Sequence, residues 1–145
     1  MHRGSPATRG EDLDRHSRLH GIQSWIALPD SEQEREPAFT HFPAEDLPVI
    51  EQEGMRFRLI MGEAFGRKSP VTRYSRTLYA DCLLQAGAVI EFPNEEREQA
   101  LYVAEGEVSI GGRSFVGGQM VLLRPGRPLA VREGEVGNGK DKVGG

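Results

Sequence analysis

One cysteine, one tryptophan and no long apolar run set the first limits on this 145-residue chain. Cys82 alone can close no internal disulfide and build no Cys-rich zinc cage, which suits a chain of the reducing cytosol. No apolar stretch approaches the ~20 residues that cross a bilayer, and the polar start is no signal peptide. A cytoplasmic location is therefore expected, with no membrane partner. Basic residues are also short: 18 Lys and Arg stand against 22 Asp and Glu, for a formal net charge of −4. The arginines are dispersed, and direct nucleic-acid binding needs them clustered on one face. No stretch keeps a helical period for three turns, no repeat has solenoid spacing, and no G-x-S-x-G elbow occurs.

What is present is glycine, with 18 residues, and a regular series of short alternating segments. Residues 55–61 read MRFRLIM, with Met55, Phe57, Leu59 and Met61 on one side and Arg56 and Arg58 on the other. That period of two predicts a half-buried strand. From residue 78 onward Leu78, Ala80, Cys82 and Leu84 alternate in the same way, and later segments add Leu101, Val103, Val108 and Ile110 to the predicted inward set. Gly111-Gly112 predicts a two-residue hairpin, because adjacent glycines supply the positive φ angles of a type I′ turn. Short strands at such spacing predict an all-β sandwich or small barrel over residues 78–132. Before them, 21–28 (GIQSWIAL) reads as a short strand stopped by the turn signal Pro29-Asp30, and 41–48 holds room for one helical turn at most. Residues 1–18 and 135–145 are polar or Gly-rich and are expected to be loose, since neither buries enough surface to offset its ordering entropy.

The order of glycines is similar to that of the cupin barrel, whose first motif runs G-x5-H-x-H-x3-E-x6-G. Laid from Gly87, it meets Pro93, Glu95 and Gln99 at the three ligand positions and Gly106 at its end. The second motif, G-x5-P-x-G-x2-H, laid from Gly118, meets Arg124, then Gly126, then Leu129 where histidine belongs. The framework glycines fit; the ligand positions do not. The segments LHGIQSWIALP (19–29), EPAFTHFPAEDLPV (36–49), IMGEAFGRKSPV (60–71), TLYADCLLQAG (77–87), ALYVAEGEV (100–108) and LLRPG (122–126) closely resemble the pirin family, two-domain cupins of which several are similar to quercetin 2,3-dioxygenase in activity.

The resemblance covers residues 19 to 134 and implies the end of a first cupin and most of a second. It implies an incomplete jelly-roll (RmlC-like) cupin barrel with extra N-terminal strands, divided as 1–18 disordered, 19–54 first-cupin remnant and linker, 55–134 barrel, and 135–145 flexible tail. It also implies that the family's iron site, an H-x-H pair with a later H-x-E in the first cupin, is missing here. His2, His16, His20 and His41 are followed two residues on by Gly4, Arg18, Ile22 and Pro43. No catalytic, cofactor-binding or metal residue is therefore assigned, and no cofactor is expected in this chain. The chain reads as a truncated pirin, or the product of a broken reading frame.

Individual residues receive plain readings. Glu95 and Gln99, one carboxylate and one amide, are too few to hold a transition metal without imidazole or thiolate help. Cys82, on a core face, reads as an inert small apolar side chain. His41 and His20 read as turn and strand-entry histidines bonded to backbone. Glu45-Asp46 and Glu95-Glu96 read as solvated loop charges, and Gly137-Asn138-Gly139 is no dinucleotide loop, lacking a third glycine and a helix. Trp25 stays open between core packing and an exposed contact anchor. The functional expectation is a non-catalytic pirin-like cupin domain. The alternatives are part of a metal-dependent quercetin 2,3-dioxygenase-type oxidoreductase completed by another chain, and a protein-interaction module. Unpaired strand edges are expected to favour self-association or a protein partner.

Overall fold

The computed structural model describes residues 21–92, 97–126 and 129–134. Eleven strands run in chain order through them: β1 (Val49–Gln52), β2 (Met55–Met61), β3 (Glu63–Ala64), β4 (Arg67–Lys68), β5 (Tyr79–Leu84), β6 (Val89–Phe92), β7 (Gln99–Tyr102), β8 (Glu107–Ile110), β9 (Arg113–Val116), β10 (Met120–Leu123) and β11 (Leu129–Glu133). The described residues contain no α-helix, only two single 3-10 turns, Asp30–Glu32 and Ala44–Asp46. Each follows a proline whose fixed φ pre-sets the turn, Pro29 and Pro43. The chain is all-β, with the cupin architecture.

Alternation builds the core. In β2 Met55, Phe57 and Leu59 are buried, while Arg56 between them is exposed. Ile90, Val103, Val108, Ile110 and Val131 complete the buried cluster. Ala80, Cys82 and Leu84 of β5 and Leu101 of β7 pack against it half-buried. The predicted inward set therefore holds except for Leu78, which is 43% exposed and precedes β5. The cause is local. The register between β2 and β5 slips between Leu59 and Met61, so that Met61 pairs with Tyr79 and the alternation is broken before Leu78.

Two further differences from the sequence reading concern the region before β5. Residues 21–28 form no strand, and Trp25 is 88% exposed; a strand needs a ladder partner, which composition alone does not supply. Conversely, β3 and β4 form a small hairpin that the sequence did not announce. Its turn is Phe65-Gly66, with φ of 49° and 70°. A non-Gly residue in that region costs roughly 1 kcal/mol, and the Phe65 ring offsets this by meeting buried Phe57 edge-on, 5.1 Å between centroids. The Gly111-Gly112 hairpin forms as read, with φ of 57° and 78° between paired Ile110 and Arg113.

The described strands divide into two layers around one core. One is a continuous sheet in the order β6-β11-β8-β9. Among the described residues the other is in two pieces, β1-β2-β5 and β10-β7, with β5 and β7 each paired on one side. The ladders are nested: β8 pairs with β9, β7 with β10, and β6 with β11. This is the winding of a jelly roll.

Candidate functional site

A cupin places its metal inside the barrel, so the interior is the first place to look. Here it is filled by Met55, Phe57, Leu59, Ile90, Val103, Val108, Ile110 and Val131, apolar side chains that offer no imidazole, carboxylate or thiolate to a metal. Of the motif positions, Gln99 opens β7 half-buried, paired with Leu123, and Leu129 opens β11 opposite Phe92. Pro93 and Glu95 lie outside the described residues, as do Glu96, His2, His16, His20 and the 137–139 glycine pair. The described residues bring together no group of three His, Cys, Asp or Glu side chains able to hold a metal. Three imidazoles and a carboxylate around iron thus have no counterpart among the residues that line this core. The donor set does not fit.

Cys82 is the thiol beside the core. It lies on β5 opposite Phe57, half-buried. Burial, with the adjacent Asp81 carboxylate adding to it, pushes its thiol up to about 11. A thiol held protonated at neutral pH is a poor nucleophile, which agrees with the plain reading. His41 is exposed, and the backbone bond expected of it is not formed with the described residues. Glu45 and Asp46 are exposed in the second 3-10 turn, as loop charges should be.

Sequence reasoning missed an open depression bordered by Asp46, Pro48, Lys68, Ser69, Thr72 and Arg73. Two of its polar side chains are bonded to the protein. Ser69, itself buried, donates from Oγ to the Ile60 carbonyl at 2.6 Å and accepts from the Val71 amide at 3.2 Å. Arg73 is held by Glu63 at 2.7 Å and reaches the Thr77 carbonyl. These bonds fix the loop that leads into β5 and commit Ser69 and Arg73 to structure. On the outer face of β2, Arg58 sits between Val49 and Asp81 across the ladders, and its Nε is buried without a partner among the described residues.

Trp25 resolves to exposure. Around it Ile22, Ile26 and Leu28 are 59%, 45% and 36% exposed, an unusual concentration of uncovered apolar surface on one short segment. The connection that follows is tethered to the body by Arg35, whose guanidinium stacks 4.0 Å over the Tyr74 ring.

Comparison with known proteins gives a consistent picture. No protein-family model matches the chain. A pirin-like protein of Caulobacter vibrioides is 42% identical over 127 residues, covering 86% of this chain and 44% of that protein. Human pirin is 36% identical over 93 residues, 63% of this chain and 32% of its own length. Among solved structures, a quercetin 2,3-dioxygenase from Acinetobacter baumannii superposes with a TM-score of 0.69 at 29% identity, over 77% of this chain and 37% of that one. The chain spans less than half the length of each of these relatives.

Proposed function

We propose, from the premise that this chain belongs to the pirin family, that it is a non-catalytic pirin-like cupin domain, a structural half without metal chemistry of its own. The observation that carries the reading is the chemistry of the interior: the positions that face inward from β2, β6, β8 and β11 are occupied by packed aliphatic and aromatic side chains. Iron(II) needs several imidazole or carboxylate groups converging at roughly 2 Å, and the motif positions Pro93, Glu95, Gln99 and Leu129 offer by residue type one carboxylate and one weak amide. A cytosolic setting belongs to the same reading, supported by a single unpaired cysteine; none of the described helices is long and apolar enough to cross a membrane.

An oxidoreductase of the quercetin 2,3-dioxygenase type would need its metal-bearing half from a different chain. Metal analysis of the purified chain after dialysis against iron, with oxygen uptake in the presence of a flavonol, separates the two. Iron well below one equivalent and no uptake are expected. Stoichiometric iron with flavonol turnover by the isolated chain would overturn the proposal.

A further inference from the structure

Positive charge in this acidic chain gathers around one depression. Residues 64–80 hold Arg67, Lys68, Arg73 and Arg76 and no aspartate or glutamate, although the whole chain carries −4. The fold wraps the centre of that stretch, Lys68 to Arg73, around the open depression that Asp46 and Pro48 also border. Its volume, about 750 Å³, is that of a small-molecule site.

The cations there are positioned and retain free donors. Arg73 is fixed at two points: Nη2 donates to Glu63 Oε1 at 2.7 Å and Nη1 to the Thr77 carbonyl at 3.4 Å. A guanidinium has five N–H groups, so most remain to donate, from a side chain that is 27% exposed. The two bonds orient the fork in advance, which lowers the ordering cost of binding. Lys68 lies across the β3–β4 ladder from Glu63 and is exposed, yet Glu63 gives its carboxylate to Arg73. Among the described residues Lys68 makes no ion pair. Thr72 adds an exposed hydroxyl, and the Thr72 and Arg73 amides find no acceptor among the described residues.

Two cations on one depression, with a hydroxyl and open amides beside them, form the donor set of an oxyanion. Arginine meets a phosphate with a planar fork, and lysine adds a point charge. Asp46 narrows the choice. Its carboxylate repels a bare anion and accepts from a hydroxyl, so it favours a phosphate carried on a hydroxylated body.

We infer that the depression along residues 68–73 binds a small organic phosphate, with the phosphate on Lys68 and Arg73 and ligand hydroxyl groups on Asp46. The site asks for no metal and no reaction, so it can fail or stand independently of the non-catalytic reading.

Titration of the full chain with glycerol phosphate, inorganic phosphate and glycerol, followed by backbone amide NMR shifts, tests the site. Glycerol phosphate should move the Thr72 and Arg73 amides saturably, inorganic phosphate should bind more weakly, and glycerol should leave them in place. Lys68 is exposed, so its replacement spares the fold. Lys68→Gln should weaken glycerol phosphate at least about fivefold, while Lys68→Arg retains binding. Arg113→Gln, which removes an exposed cation from the β8–β9 hairpin, should leave the affinity unchanged. Asp46→Asn should tighten inorganic phosphate, because it removes a like charge. Thr72 and Arg73 amides that do not respond, a Lys68→Gln affinity equal to the original, an equal loss in Arg113→Gln, or inorganic phosphate weakened by Asp46→Asn would each overturn the inference.

Discussion

The two layers of this cupin hold similar side chains and treat them differently. In the continuous sheet Ile90, Val108, Ile110 and Val131 are each less than 8% exposed. Across the core, Ala80, Cys82, Leu84 and Leu101 occupy equivalent inward positions and remain half-exposed, packed on one flank and open on the other. Strand β2, which has neighbours on both sides, buries Met55, Phe57 and Leu59 as fully as the continuous sheet does. Alternation decides which face of a strand looks inward; a neighbour on each side decides how completely that face is covered.

The contrast can be broken most sharply by paired truncations. Leu59 is fully buried at the centre of β2, so Leu59→Ala should cost about 3–4 kcal/mol, the sum of lost transfer energy and a residual cavity. Leu84→Ala, on the open flank, should cost only about 1 kcal/mol, because water already reaches part of that side chain. Urea denaturation with a common slope measures both. Equal losses would mean that the flank of β5 is as well covered as β2.

Cys82 sharpens the comparison from within the open flank. Its thiol sits near 11 in the fold against a model-compound value of 9.0, so the folded chain holds the proton more tightly than the unfolded one. The sign follows from that. The stabilisation is complete below the unfolded value and is lost as pH rises from about 9 through 11. At pH 8 the thiolate fraction in the fold should be about 100-fold lower than in urea, so labelling by a disulfide reagent should accelerate strongly on unfolding. Labelling at the same rate in both states would place Cys82 in open solvent.

Much of this architecture was legible in the sequence, and the reasons for the exceptions are physical. The period of two in MRFRLIM gave β2 with its buried face, and Gly111-Gly112 gave a hairpin with its turn type, because both are local rules that side chains and φ angles enforce by themselves. Leu78 was misplaced by a slip in register with β2, a property of the pair and not of either strand. Residues 21–28 carry strand composition and form no strand, since the partner needed for a ladder is not written into the segment. The β3–β4 hairpin escaped notice because Phe65 is no turn residue, and only its contact with Phe57 compensates its backbone angle. As for the site, the unsuitable ligand positions were readable by spacing from Gly87 and Gly118. That apolar side chains fill the interior, and that β5 and β7 pair on one side among the described residues, required the pairing of residues far apart in the chain.

Native-state hydrogen exchange tests the central claim, that a ladder on each side decides how firmly a strand is held. Amides of β8 and β11, laddered inside the continuous sheet, should exchange only at the slow rates of global opening. Amides of β5 and β7 that have no ladder partner among the described residues should exchange orders of magnitude faster. Such amides of β5 and β7 exchanging as slowly as those of β8 and β11 would contradict the account.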